Sequence, residues 1–432
     1  MNKPLIVILI FCFFSNCSLN KNSSLWNEKE KTNNESKNIK KIIVEKKREF
    51  KELNPTLTLK LPKNFKLDKN LVNLNNFGSL KYNGYLNKTS SYKFSKFKNF
   101  NKSYFEPLVL DNGLIFFNKK GDILRLNNSK KILWKKNYYS KFERKLNPIL
   151  TFSDAGKNLI IADNISKILL LDKNSGDLIW VKNSIYPFYS EIKIYKDKFY
   201  IIDYKNVLRC FYLKDGSECW NVKTEESFIV SNSKFSLIIF DDFVIFNNSI
   251  GDVTAVDISS GSIKWQLPTQ KSTIINETFN FDYSKLISDG NSIYFSNNKN
   301  QFYSIDLTTG TVNWINEISS TFTPIIVGDY IFTVSEKGNF FTLQKSSGNI
   351  IRVNNLYKNY DIKKKKNLKP TGFTIGNNKL YLSNSDGNLL VVDLHSGKVL
   401  KIQKITKGLI SKPFIRKEKL FVVKNGSIIQ YN

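Results

Sequence analysis

The chain has 432 residues, 66 Lys or Arg against 37 Asp or Glu, and a formal net charge of +29. Its single His excludes a His triad or a multi-His metal site, while 41% hydrophobic and 14% aromatic residues suffice for a packed core. Arg occurs at only six positions, so the charge is carried by Lys beside abundant Asn, Ile and Phe, the composition of an AT-rich coding sequence. Scarcity of the bidentate Arg fork argues against phosphate recognition and hence against a nucleic-acid partner.

In chain order, Met1-Asn2-Lys3 is a short basic start, and Leu5 to Phe14 is an apolar run too short to span a bilayer as a helix. With Ser15-Asn16-Cys17 behind it, this start resembles a bacterial lipoprotein signal. Residues 1–16 are expected as the signal peptide, with Cys17 as the lipidated first residue of the mature chain. Ser18, in place of Asp, fits export to the outer membrane. Residues 17–84 are rich in Lys, Asn, Glu and Ser and read as a polar tether. Within it, Ile39, Ile42, Ile43, Phe50 and Leu53 fall near one helical face that stops before Pro55.

From residue 85 to the C-terminus the grammar is that of strands. Phe105–Leu110, Leu114–Asn118, Ile123–Leu126 and Ile132–Trp134 are four short apolar runs separated by turn residues. The phrase ILLLDKNSGDLIW (Ile168–Trp180) is a hairpin whose Gly takes the positive φ that other residues resist. It returns at Val253–Trp265 and Phe302–Trp314, and in weaker form at Leu208–Trp220, Phe340–Arg352 and Leu389–Lys401. A degenerate first copy ends at Trp134. Aligned on Lys130, Gly176, Gly216, Gly261, Gly310, Gly348 and Gly397, the intervals are 46, 40, 45, 49, 38 and 49 residues. Such a period with four strands per unit specifies a β-propeller. After Lys401 three strands follow, at Pro413–Ile415, Leu420–Val423 and Ser427–Tyr431, and the spare strand Ser91–Phe97 is expected to complete them. The expected fold is all-β, an eight-bladed propeller of four-stranded antiparallel blades closed by strands from both ends of the chain.

Asp172, Asp257, Asp306 and Asp393 recur where each hairpin turns, so they are read as caps of the turn backbone rather than a carboxylate ring. Trp134, Trp180, Trp220, Trp265 and Trp314 occupy one strand position per blade and are read as packing between blades. No phosphate-binding glycine loop is present, His395 falls in a turn expected to be exposed, and Lys363 to Lys366 read as a solvated loop. Counting outward from the turn at Lys214-Asp215-Gly216 sets Cys210 opposite Cys219, within reach of a disulfide in an oxidising compartment. The alternative is two reduced cysteines in half-buried repeat positions.

The repeat D-x-x-[S/T]-G-x-x-x-W resembles that of the pyrroloquinoline-quinone-like propellers from about residue 100 onward. Quinoprotein dehydrogenases of that group carry adjacent cysteines against the cofactor, and no adjacent pair exists here. Length, lipoprotein start and ring closure are instead similar to the BamB-like lipoproteins of the outer-membrane β-barrel assembly machine. That resemblance implies a non-enzymatic scaffold without cofactor or metal, anchored by lipid on the periplasmic face of the outer membrane and binding soluble periplasmic domains of the machine. It also points to the inter-blade loops of the middle region as the partner surface. Two of these depart from the polar norm: one carries Phe228, Ile229 and Val230, the other Glu277 and Asp282 beside Phe279 and Phe281. The competing placement for both is an inward-facing first strand of the next blade. Competing functions are a quinone-dependent oxidoreductase and a propeller that binds cell-envelope polymers.

Overall fold

The computed structural model describes residues 51–62, 72–77, 81–82, 84, 86–97, 100, 106–225, 234–269 and 281–432. Eight four-stranded antiparallel sheets follow one another around a closed ring. Blades 1 to 7 span residues 108–136, 150–183, 193–223, 237–267, 287–316, 325–355 and 370–404, each with its strands in chain order, here A to D. Blade 8 takes three strands from residues 414–431 and its fourth from Lys88–Lys93, which pairs antiparallel with Ser427–Tyr431. This completes the last blade and closes the ring with strands from both ends of the propeller.

The closing strand begins three residues earlier than the spare run Ser91–Phe97 and ends at Lys93. The reason is the length of its partner: one more backbone bond follows, from Phe94 N–H to Gly426 O at 3.1 Å, and there the partner strand gives way to the turn at Asn425-Gly426. Phe97 is held instead by the Asn425 side chain, which accepts from its N–H at 2.9 Å and donates to its carbonyl at 3.0 Å.

Strands B and C of most blades are mainly apolar and buried, as in Leu159 to Ile161 and Ile168 to Leu171, because each lies between two neighbouring blades. Strand D is the outer rim and keeps Lys and Asn exposed, as in Leu178–Asn183. Between C and D every one of blades 1 to 7 has a register shift at the same place, for example between Leu170 and Leu171. Such a bulge inserts one extra residue and increases the local twist. It also corrects the count made from sequence: Cys210 pairs with Trp220, and Cys219 occupies the bulge beside it. The two cysteines still meet. Their sulfurs are joined, with Cα atoms 5.3 Å apart.

The turn aspartates cap as expected. Asp172 Oδ1 accepts from the backbone N–H groups of Asn174 and Ser175, and Asp257 and Asp306 make the same pair of bonds in their own turns. Hydrogen bonds from this turn hold each of these half-buried carboxyls below its usual range.

Candidate functional site

The outer seams come directly from the repeat. Each Trp indole donates to a carbonyl in the next blade's turn: Trp134 to Lys173, Trp180 to Leu213, Trp220 to Ile258, Trp265 to Leu307 and Trp314 to Lys345, at 3.0 to 3.3 Å. The ring then lies over the turn glycine of that blade. A Cβ on Gly310 would stand 2.6 Å from the Trp265 ring, so glycine is required there by contact as well as by its φ of +73°.

At the seam between blades 6 and 7 the Trp position is Arg352, which is fully buried. Its guanidinium donates to Leu394 O at 2.8 Å, to His395 O and, at 2.9 Å, to Leu57 O. Leu57 belongs to the stretch read as tether. Residues 51–62 in fact lie along this seam: Leu53 and Val353 exchange backbone hydrogen bonds, Leu59 N–H donates to His395 O, and His395 Nδ1 lies 3.0 Å from Leu59 O. The expectation of an exposed His395 is thereby corrected, since the N-terminal segment covers it. Lys363 to Lys366 sit in the short exposed helix Ile362–Asn367, outside any site.

A second part of the tether, residues 72–77, docks at the centre of the ring. Asn73 O and Leu74 O accept from Ile239 N and Ser288 N, which lie on the A strands of blades 4 and 5. Asn75 is buried and donates to Glu191 Oε1 at 2.9 Å and to the carbonyls of Leu237 and Leu286. Phe77 stacks 4.5 Å from the Arg416 guanidinium.

Behind this segment lies a cavity of about 420 Å³ on the propeller axis, lined by residues of blades 1, 2, 3, 6, 7 and 8 and of the segments that lead into blades 4 and 5. Its walls include the apolar Leu108, Phe152, Ile192, Phe235 and Phe414, and its charged groups are mainly cationic: Lys193, Lys234, Lys285, Lys412 and Arg416. A recurrent serine positions several of them. Ser190, Ser284 and Ser411 accept from Ile202, Ser296 and Val423 N–H on strand B and donate to the carbonyl of the following residue. The following residues are Glu191, Lys285 and Lys412, all of which line the cavity.

Two carboxylates balance part of this charge. Glu191 receives Lys285 at 3.1 Å and Lys193 at 3.9 Å, and Glu106 receives Arg416 at 2.9 Å. Burial pushes the Glu191 carboxyl up, but Lys193, Lys285 and the Asn75 amide overcome it and hold the group at about 2. Among the described residues, Lys234 has only the Thr151 hydroxyl, at 3.1 Å. Burial, with the charge of Lys285, pushes Lys234 and Lys412 down to about 8. Burial does the same to Lys193 despite Glu191. Sequence reading missed this cluster. Its only trace was the recurring Ser-Glu or Ser-Lys pair before strand A, at residues 190–191, 233–234, 284–285 and 411–412.

Of the residues expected at a partner surface, Phe228, Ile229, Val230 and Glu277 lie outside the described residues, as does Phe279. Asp282 is half-buried at the start of blade 5, where its backbone N–H donates to Asn298 Oδ1 at 3.2 Å. Its neighbours Phe281 and Tyr283 are core residues, so Phe281 is packing rather than an exposed anchor. Cys17 is also outside the described residues. Among the described residues no helix is long and apolar enough to cross a membrane, and no three His, Cys, Asp or Glu side chains converge as metal ligands.

A closed ring of eight four-stranded blades, stitched by a Trp-to-glycine contact from the D-x-x-[S/T]-G-x-x-x-W repeat, defines the class: a propeller of the pyrroloquinoline-quinone-like repeat type. Residues 119–354, more than half of the chain, match the family model described as outer membrane protein assembly factor BamB, and the chain belongs to that family. It is 20% identical to the outer membrane protein assembly factor BamB of Moranella endobia over 341 residues, covering 76% of this chain and 84% of that protein. It is also 24% identical to the uncharacterised protein RP232 of Rickettsia prowazekii over 203 residues, which span 42% of this chain and 48% of that one. Among solved structures, BamB from Moraxella catarrhalis superposes with a TM-score of 0.63 at 18% identity, over 80% of this chain and 99% of that one. A quinohemoprotein alcohol dehydrogenase from Comamonas testosteroni superposes with a TM-score of 0.57 at 10% identity, over 85% and 78%. These structural likenesses speak to the fold alone.

Proposed function

We propose that this chain is a non-enzymatic scaffold that assists the assembly of β-barrel proteins at the outer membrane. The family match over residues 119–354 carries this reading. In it, residues 1–16 are removed, Cys17 is acylated, and the propeller stands on the periplasmic face held by its lipid anchor. Acyl chains contribute roughly 0.8 kcal/mol per buried CH₂, so several chains hold the domain firmly. The partner is a soluble periplasmic domain of the assembly machine. It is met by the loops carrying Phe228, Ile229, Val230, Glu277 and Asp282, because in a propeller the strands are consumed by packing and recognition falls to loops.

Two substitutions test the reading. Cys17→Ala should move the protein from the membrane to the soluble periplasmic fraction; unchanged fractionation rejects lipidation. Asp282→Lys should abolish co-isolation of assembly-machine components from membranes while leaving the melting temperature within a few degrees. Co-isolation that survives the charge reversal moves the partner surface elsewhere. The competing quinone-dependent oxidoreductase is decided by absorbance: it requires a tightly bound quinone chromophore in the purified protein.

A further inference from the structure

The axial cavity has no part in the scaffold reading above, and its chemistry is specific. Its five cations face two carboxylates, Glu191 and Glu106, each already engaged by a cation. The third acid in its lining, Asp154, is paired outward with Lys173 at 2.7 Å. Among the described residues, Lys234 and Lys412 therefore present ammonium groups with no carboxylate in ion-pair contact, against walls of Phe, Leu and Pro. Taking an ammonium out of water without a counter-charge is costly, and such a group gains strongly from an anion delivered to it. The volume of about 420 Å³ falls within the range of small-molecule pockets, roughly 300–1,000 Å³.

We propose that the axial cavity binds a small molecule bearing two or more carboxylate or phosphate groups, with Lys234 and Lys412 as its principal ligands and Lys193 and Lys285 beside them. Lysine suits this task as a mobile point charge that accepts either anion class, whereas a bidentate Arg site would select geometry. Arg416 is engaged by Glu106 and Phe77 and shapes the wall. The titratable groups facing the ligand are Lys193, Lys234, Lys285, Lys412, Arg416, Glu106 and Glu191, on the A strands of blades 3 and 8 or the segments that lead into blades 1, 3, 4, 5 and 8. Because burial holds three of these lysines near 8, an arriving anion raises them again, so binding at pH 8 takes up protons and weakens as the pH rises toward 10.

The test is titration calorimetry of the full chain with pyrophosphate in one arm and citrate in the other, at fixed ionic strength. One-to-one saturable binding is expected in at least one arm, and the stronger arm identifies the anion class. At pH 8 the apparent heat should vary with the ionisation enthalpy of the buffer, in the sense of proton uptake. Lys234→Gln with Lys412→Gln should weaken binding at least tenfold without lowering the melting temperature, since the substitutions remove uncompensated buried charge. Absence of binding in both arms at millimolar probe overturns the proposal. So does binding without proton uptake, a measurement on the unsubstituted protein that needs no variant to fold. Affinity unchanged in the double variant, or binding of an acidic peptide but neither small anion, also overturns it.

Discussion

Five seams of the propeller carry a Trp and one carries Arg352, and the two kinds solve the same problem differently. At a Trp seam the indole has one N–H, which it spends on the neighbouring turn, and its ring fills the space above the glycine. Nothing is left to recruit another segment. Arg352 reaches the equivalent carbonyl, Leu394 O, and still has donors for Leu57 O and His395 O. The residue that looks like decay of the repeat is therefore the point where residues 51–62 attach. Its cost is visible: Nε finds no partner, and burial pushes the guanidinium down to about 10. A departure from a repeat motif can mark a docking point as well as drift.

The sharpest way to break this comparison is to crowd both kinds of seam. Gly310→Val sets a branched side chain at positive φ against the Trp265 ring, and should cost roughly 3–5 kcal/mol in chemical denaturation. The same change at Gly397, whose neighbour is the Asn354 side chain, should cost less, because an amide can swing where a packed indole cannot. Equal losses would mean that the seams are mechanically alike.

Next in size are the substitutions at Arg352. Arg352→Ala leaves buried carbonyls unpaired and should cost about 2–4 kcal/mol. Arg352→Trp should restore the ring-over-glycine contact and most of that stability, yet lose the bond to Leu57. Hydrogen exchange separates the two effects: the Leu53 and Leu59 amides should lose protection in both variants. Protection that persists in Arg352→Trp would show that the backbone bridge to Val353 suffices for docking.

The smallest effect concerns the Trp220 seam, where Cys219 stands beside the indole. The Cys210–Cys219 bond closes a ten-residue loop, so reduction should lower stability by at most about 2.7 kcal/mol on the chain-entropy model. Mass spectrometry of alkylated, unreduced mature protein reads the state directly: two modified thiols in that peptide would mean the bond is not formed in the cell.

How much of this was legible in the sequence follows from the range over which each feature is encoded. The hairpin period, the capping aspartates, the Trp positions and the missing fourth strand of blade 8 are local or periodic patterns, set by alternation of burial and by turn chemistry, and the chain alone determined them. The bulge after each C strand moved Cys219 by one position, a shift that counting from an ideal hairpin cannot register. Lys193, Lys234, Lys285 and Lys412 are separated by some 40 to 130 residues in a chain full of lysine, and nothing local distinguishes them. They become neighbours only because ring closure carries the A strand of every blade to one axis. Residues 51–62 and 72–77 are likewise polar by composition, and their few apolar side chains, Leu59 and Leu74 among them, find burial only against surfaces built from blades hundreds of residues away. Composition assigned them to a tether; complementary backbone and a buried arginine on the finished disc decided otherwise.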